Sequence, residues 1–188
     1  ELLKNSKDII VLSGGIDSLF SALVKKNKIK EAKLLATKLK EALSDCFYLE
    51  IQRHNDEGET ILENIFLDIS EEFNIPLIAS QEIFYINKDM YEAHDALICI
   101  GSKTYINEKN RIKYTDQHYF KTDNEMSKLF FDLPEALENN YNLPFRCNFR
   151  PASSKPVLPN ISSDKGGNAD NILIKDSEEG LISKFKNV

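Results

Sequence analysis

The feature that most constrains the fold is the alternation of short apolar runs with longer segments of helical periodicity. The runs KDIIVL, FYLEIQ and LIAS are rich in β-branched and apolar residues. They predict strands at 7–12, 47–52 and 77–80, with helical sequence after each strand. Strands and helices that alternate at this spacing predict an α/β layer or barrel with parallel strands.

Apolar residues at helical spacing predict four helices between and after these strands. The predicted helices span 18–25, 30–43, 58–73 and 88–100, and Gly101 is the predicted C-cap of the last one. Two of these helices have a clear predicted buried face. Its residues are Ile61, Leu62, Ile65, Phe66, Ile69 and Phe73 in one helix, and Ala93, Ala96, Leu97 and Ile100 in the other.

The pattern changes after Gly101. Residues 102–121 are polar and predict a loop, and Thr122 to Glu125 form a capping box that opens a short helix. Pro134 at a predicted first turn indicates a further helix to Arg146. An extended connector follows, and a last amphipathic segment spans about 170–186.

Composition narrows the class of protein. Hydrophobic residues make up 41 % of the 188 residues, enough for a core, and the net charge is −6. An acidic chain is a poor candidate for a domain that binds the phosphates of duplex DNA directly. No apolar run reaches the roughly 18 residues that a membrane span needs, and no signal peptide opens the chain. We therefore expect a cytoplasmic protein without a membrane partner, and the start at Glu1 indicates a piece of something longer.

The cysteines and histidines are too scattered to predict a metal site. The three cysteines include no CxxC pair, and we predict that they are buried free thiols. The three histidines include no HxH or HxxxH pair, and we predict that each makes hydrogen bonds at the surface or at the edge of the core. These residues are Cys46, Cys99 and Cys147, and His54, His94 and His118.

The motif SGGIDS at 13–18 lies between a predicted strand and a predicted helix. It resembles the phosphate loop of ATP pyrophosphatases, in which glycines and exposed N–H groups hold the anion. In that interpretation the ATP-binding residues are Ser13, Gly14, Gly15, Asp17 and Ser18. The alternative is a glycine turn in which Asp17 or Ser18 caps the helix.

A second resemblance covers nearly the whole chain in order. Its two longest stretches are EAHDALICIG at 92–101 and EMSKLFFDLPEALENN at 125–140. The shorter stretches are YLEIQRH (48–54), IPLIASQEIFYI (75–86), QHYFKT (117–122), RCNF (146–149), KPVLPN (155–160) and EEGLISKF (178–185). These stretches resemble the PHP (polymerase and histidinol phosphatase) domain of bacterial replicative DNA polymerase III alpha subunits. That family has a leucine-serine-glycine turn after a strand, so we interpret SGGIDS as this turn.

The resemblance implies a fold and its divisions. It implies part of a distorted PHP-type (β/α)7 barrel with parallel strands, followed by a mostly helical and loop-rich C-terminal extension. The barrel units are expected at 1–101 and a helical extension at 102–150. A connector and a helix that leads toward the polymerase palm are expected at 151–188.

The resemblance also implies a degenerate metal site. A family cysteine ligand falls at Gly15, which has no ligand atom. An aspartate and a histidine of the family motif fall at Glu82 and Phe84. The carboxylate of Glu82 can still bind a metal ion, but Phe84 cannot. We therefore expect neither a catalytic residue nor a bound metal in this segment.

The function implied by the resemblance is that of a scaffold and partner-docking module. The parent performs template-directed DNA synthesis with magnesium, at palm aspartates that lie C-terminal to this segment. We expect no cofactor and no activity from the segment alone. The expected partners are the rest of the alpha subunit and a proofreading exonuclease subunit, with DNA bound through the parent.

Candidate docking surfaces are the expected exposed loops at 103–114 and 140–150. The second contains aromatic and basic residues, a mixture found at interface hot spots: Phe145, Arg146, Phe149 and Arg150. The alternative function is an ATP pyrophosphatase or amidotransferase-like enzyme that uses the loop at 13–18.

Overall fold

A computed structural model describes residues 2–157 and 168–186. They belong to two compact units, one within Glu1–Asn148 and the other within Phe149–Val188. Residues 158–167 of the predicted connector, with the end of the KPVLPN stretch, lie outside the described residues.

A parallel sheet of three strands forms the framework of the first unit. Its order is β1 (Val11–Leu12), β2 (Phe47–Ile51) and β3 (Leu77–Ala79). Both pairings are parallel, with Val11 opposite Phe47 in the first of them. The predicted α/β class with parallel strands is confirmed, and the closed barrel stays a prediction.

The described residues contain seven α-helices. Their bounds are α1 (Leu19–Lys25), α2 (Ile29–Leu43), α3 (Glu59–Phe73), α4 (Tyr91–Ser102), α5 (Asp123–Leu129), α6 (Pro134–Arg146) and α7 (Ala169–Lys186). Short 3-10 helices occupy Leu2–Lys4, Ser44–Cys46 and Lys88–Met90. The predicted helices are therefore confirmed, apart from shifts at their ends.

The middle strand lies at the centre of the hydrophobic core. Phe47, Leu49 and Ile51 of β2 are each at most 1 % exposed. Phe66 of α3 packs edge-on against Phe20 of α1 at a ring distance of 5.5 Å. Full burial of one such side chain contributes about 1.5–3 kcal/mol, so these contacts stabilise the packing of α1 and α3 in the core.

The buried face of α3 differs in part from the predicted one. Leu62, Phe66 and Ile69 are buried, whereas Ile61 is 61 % exposed and Ile65 is half-buried. A helix that packs on a sheet buries one stripe of residues at i, i+4 and i+7. Ile61 lies outside that stripe, so its predicted burial is wrong.

The buried face of α4 differs from the predicted one. Ala93, Leu97 and Ile100 are exposed, and Cys99 is the buried residue of this helix. No described element covers the face that contains Leu97. The predicted C-cap is also wrong: the helix continues through Gly101, and Lys103 caps it in the left-handed region at φ 55°.

The connection from α5 to α6 has the predicted end signals. Thr122 and Glu125 form the capping box of α5, and Pro134 is the first residue of α6. The helix α6 continues through Pro144 and ends at Arg146, the predicted end.

The second unit contains α7, which has no buried residue. Leu181 and Phe185, predicted on its apolar face, are exposed, and Ile172 is half-buried. None of the helices in the described ranges combines the length and apolar composition needed to cross a membrane.

The three cysteines are free, and they differ in exposure. Cys99 is buried, Cys46 is half-buried and Cys147 is exposed. The prediction of buried thiols is therefore wrong for Cys147, because this residue follows the last turn of α6, outside the core.

Candidate functional site

The carboxyl ends of the three strands bring distant polar residues to one edge of the sheet. Ligands of parallel α/β sheets bind at such an edge. Short segments after each strand place residues there: Ser13 and Gly15 after β1, Gln52 and His54 after β2, and Ser80 after β3.

The glycine turn of the SGGIDS motif is closed by hydrogen bonds within the chain. Gly14 has φ +79°, in the left-handed region that favours glycine. The Oγ of Ser13 accepts a hydrogen bond from the N–H of Glu50 at 2.9 Å, and the Oγ of Ser18 accepts one from Ser21 at 3.2 Å. Ser18 is thus the N-cap of α1, which has only seven residues. Both hydroxyl groups of the predicted phosphate loop take part in the fold.

Acidic residues surround this turn. A small cavity beside Gly15 and Ile16 is also lined by Glu50, Glu59 and Glu63. Carboxylates repel a phosphate group. The geometry therefore favours the helix-capping interpretation of the motif over the ATP-binding one, and the exposed Asp17 makes none of the closing contacts.

The three positions that the family resemblance assigns to metal ligands lie near this edge. A Cβ atom at Gly15 would overlap the side-chain amide of Gln52, which fills the space of any side chain at that position. The ring of Phe84 packs against that of His118 at 5.0 Å. The carboxylate of Glu82 is 47 % exposed and lies 3.9 Å from His118 Nδ1. Two of the three positions thus offer packing groups and no ligand atom.

Two histidines and an aspartate that are far apart in the sequence meet at the same edge. The rings of His54 and His118 stack with centroids 4.3 Å apart and planes within 4°. Asp56 Oδ2 lies 3.0 Å from His118 Nε2. One ligand atom from each of the three residues lies within 4.8 Å of the others, and the ranges 2–157 and 168–186 hold no second group of this kind.

Sequence reasoning missed this group because Asp56 and His118 are 62 residues apart. The only local signal is the HxD spacing of His54 and Asp56 directly after β2. Spacing rules search for ligands on one element, and here the second histidine arrives on a distant loop.

The two ring contacts of His54 define its tautomer. Its Nε2 accepts a hydrogen bond from the N–H of Glu82 at 3.0 Å, so that nitrogen has no proton. The proton is therefore on Nδ1, which donates to Glu59 Oε1 at 3.0 Å. The Glu59 carboxylate also accepts from the N–H groups of His54 and Asp56. The tautomer and the orientation of the His54 ring are thus fixed.

His118 is fully buried and faces acceptors on both sides. The N–H of Phe84 donates to the carbonyl of His118 at 2.9 Å, which joins the loop of His118 to the segment after β3. Nδ1 lies 3.2 Å from the Glu82 carbonyl oxygen, and Nε2 faces the carboxylate of Asp56. Burial, followed by the adjacent His54, lowers the pKa of His118 against the opposing effect of Asp56.

His94 lies beside this group without joining it. Its ring stacks on Phe84 at 5.4 Å, and its buried Nδ1 has no hydrogen-bond partner among the described residues. The adjacent Asp95 instead forms a two-point ion pair with Arg111, and this contact holds the pKa of Asp95 below its usual range.

The two candidate docking segments have different structures. Residues 103–114 form a loop after α4, as predicted. Residues 140–146 are helical and belong to α6, so the prediction of a loop is wrong for them. Arg146 donates to Asp45 and Tyr48, whereas Phe145 is 72 % exposed.

The comparisons with known proteins agree on one family. No protein-family model matches the chain. It is 33 % identical to DNA polymerase III subunit alpha of Caulobacter vibrioides over 186 residues, which are 99 % of this chain and 16 % of that protein. The same subunit of Rickettsia conorii is 34 % identical over 188 residues, covering 98 % of this chain and 16 % of the relative.

The same subunit of a third bacterium gives the same result. The DNA polymerase III subunit alpha of Borreliella burgdorferi is 32 % identical over 191 residues, covering 100 % of this chain and 17 % of the relative. The chain therefore spans about one sixth of the length of these curated relatives.

Proposed function

From the premise that this chain corresponds to one segment of DNA polymerase III alpha subunits, we propose that it is a non-polymerising scaffold within such a subunit. The observation that carries the proposal is the 33 % identity over 99 % of the chain. The parent polymerises DNA at a palm outside this segment, with magnesium held by carboxylates. The proposed compartment is the cytoplasm, where the chromosome is copied.

The geometry at the sheet edge supports a PHP-type segment whose family metal site is degenerate. Gln52 fills the space next to Gly15, and Phe84 presents a ring instead of a ligand atom. A metal cluster needs several converging donors, and of these three positions only Glu82 retains one. The segment therefore has no nuclease chemistry at these positions.

Exposed apolar side chains support a docking role. Leu97 and Ile100 on α4 are 63 % and 75 % exposed, and Tyr105 and Ile106 in the following loop are 75 % and 62 % exposed. Ile100, Tyr105 and Ile106 line an open apolar groove together with the buried Cys99. Contiguous apolar patches of this kind mark interaction sites. The first proposed partner is the rest of the alpha subunit, and the second is a proofreading exonuclease subunit.

Primer extension tests the proposal. The gene is sequenced beyond both ends of this segment, and the complete reading frame and the 188-residue chain are expressed separately. We expect the complete product to extend a primed template with magnesium and deoxynucleoside triphosphates, and the chain alone to leave the primer unchanged. Extension by the chain alone, or a complete product without polymerase activity, would contradict the proposal.

Titration with magnesium-ATP tests the alternative function. Because Ser13 and Ser18 are used within the fold, we expect no saturable binding of ATP to the chain. Micromolar binding that disappears in Asp17→Ala and Ser18→Ala would instead establish the pyrophosphatase interpretation of the loop.

A further inference from the structure

The geometry points to a binding site for one divalent transition-metal ion, such as Zn²⁺, formed by His118 Nε2 and the carboxylate of Asp56. Neither residue is among the three positions that the family resemblance assigned to metal. The inference does not rest on the proposed function, and it replaces the expectation of no bound metal for this part of the chain.

The contacts of the His118 ring leave room for a positive charge between Nε2 and the carboxylate of Asp56. A neutral imidazole ring has one donor and one acceptor nitrogen. Nδ1 faces the carbonyl oxygen of Glu82 at 3.2 Å, and Nε2 faces the carboxylate of Asp56 at 3.0 Å. With its one proton on Nδ1, bonded to Glu82, the neutral ring presents the lone pair of Nε2 to Asp56. Two acceptors at this distance repel each other unless a proton or a metal ion lies between them.

The surroundings of His118 fix the direction of Nε2. The side chain of His118 is 0 % exposed, and its ring stacks on that of His54 with planes within 4°, so the ring is held in place. Metal-binding histidines commonly donate their other N–H to a backbone carbonyl, which orients the ligand nitrogen. The contact with Glu82 has this form.

The distances suit two ligands of one ion. Two donors about 2.0–2.1 Å from a tetrahedral Zn²⁺ are roughly 3.3 Å apart, close to the 3.0 Å between His118 Nε2 and Asp56 Oδ2. His54 does not act as a third ligand in this arrangement. Its ring plane is parallel to that of His118, and its Nε2 already accepts from Glu82, so His54 is a positioning residue.

An ion can reach the site from solvent. Asp56 lines an open cleft of about 650 Å³ together with Glu57, Asp116, Lys113 and Tyr114. Two further carboxylates in this cleft increase the local concentration of cations. Water molecules from the cleft can complete the coordination of the ion.

Equilibrium dialysis of the full chain against Zn²⁺, after removal of metals with a chelator, tests the site. We expect one Zn²⁺ per chain, bound at least tenfold more weakly by Asp56→Asn and by His118→Gln. The matched control is His94→Gln, which changes a nearby histidine outside the pair and should alter the affinity less than twofold. Co²⁺ is a second probe, because its visible spectrum reports whether a nitrogen atom is among its ligands. Asp56→Asn retains the histidine nitrogen, and His118→Gln removes it.

Asp56→Asn keeps the inference testable if His118→Gln does not fold, since Asp56 lies at the cleft and asparagine has the same shape. Circular dichroism of each variant establishes that it is folded. Absence of Zn²⁺ binding by the wild-type chain, unchanged affinity in folded Asp56→Asn, or an equal loss in His94→Gln would overturn the inference. None of these outcomes bears on primer extension by the complete reading frame, so the two proposals fail separately.

Discussion

Among single residues, Arg53 connects more of the first unit than any local pattern suggests. Its guanidinium group contacts Glu63 on α3, both carboxylate oxygens of Asp132 and the carbonyl of Leu129. It also lies over the ring of Phe130 at 4.7 Å. The paired carboxylates raise the pKa of Arg53, hydrogen bonding to Asp132 being the largest cause. Arg53, a single residue that follows β2, thus joins α3 to the segment between α5 and α6.

Arg53→Met should lower the free energy of unfolding by about 2 kcal/mol, because it leaves the 16 %-exposed carboxylate of Glu63 without its partner. The methionine retains the apolar contact with Phe130, so the loss reports the charge. Urea unfolding of the two proteins measures it. Arg150→Met, at an exposed position, is the control and should change the value by less than about 0.5 kcal/mol.

Gly15→Ala should destabilise the first unit by about 1–2 kcal/mol, since the new Cβ displaces Gln52 from its hydrogen bonds to Glu50 at 3.1 Å and Ser80 at 3.3 Å. Gln52→Ala removes the overlap, so the double variant should lose about 1 kcal/mol less than the sum of the single changes. Urea unfolding of all four proteins completes the cycle. Simple additivity would show that the two side chains do not compete for this space.

Gly101→Ala is the matched control for that cycle. A Cβ at Gly101 meets no atom within 4 Å, and the residue lies inside α4. Alanine is favoured over glycine within a helix by up to about 1 kcal/mol. We expect this change to stabilise the protein slightly, in contrast to Gly15→Ala.

At the scale of elements, the start of α5 should make stability depend on pH. The backbone N–H of Thr122, the hydroxyl of Tyr119 and the hydroxyl of Thr122 hold the pKa of Glu125 at about 2, below its ordinary value of 4.5. A carboxylate with a lowered pKa in the folded state stabilises the fold above about pH 4.5. That contribution is lost as the pH falls from 4.5 toward 2.

Comparison of the wild-type chain with Glu125→Gln measures this effect. The wild-type chain should be the more stable protein at pH 6, and the difference in unfolding free energy should close as the pH approaches 2. Other carboxylates titrate in both proteins, so their effects largely cancel in the difference. A difference independent of pH would show that the capping box does not depend on the charge of Glu125.

The helix α7 should open more readily than α3. All of its described side chains lie outside a core, whereas α3 buries Leu62, Phe66 and Ile69. Helices that lack a packed face are marginally stable in water. Hydrogen exchange followed by mass spectrometry should show α7 amides exchanging at least a hundredfold faster than those in the centre of α3. Equal protection of α7 and α3 would mean that α7 packs against a surface that the second unit does not itself supply.

At the scale of the whole molecule, the apolar face of α4 is the surface that the rest of the subunit should cover. In the complete reading frame, Leu97→Asp with Ile100→Asp should lower the midpoint of thermal unfolding by several degrees, because charges cannot be buried without a partner. Ile61→Asp is the control: Ile61 is 61 % exposed, as Leu97 is 63 %, but lies on another helix. Equal midpoints for the α4 double variant and the Ile61→Asp control would mean that the α4 face stays exposed to solvent.

Several parts of this molecule could be predicted from the sequence because their causes are local. The capping box at Thr122, the proline that opens α6 and the β-branched run of β1 depend on residues a few positions apart. The correspondence to DNA polymerase III alpha subunits was also evident from stretches such as DLPEALENN at 132–140. Ser18 as a helix cap was one of the two interpretations that the motif SGGIDS allowed.

Which face of each helix is buried was decided by the tertiary structure. Ile61 and Leu97 fit helical apolar stripes as well as their buried neighbours do, and only the position of the sheet leaves them in solvent. In the group of His54, Asp56 and His118, spacing indicates only the first two members, since a distant loop brings the third. Periodicity and capping act within one element, whereas burial and ligand convergence require two elements to meet, and that meeting depends on how the whole chain packs.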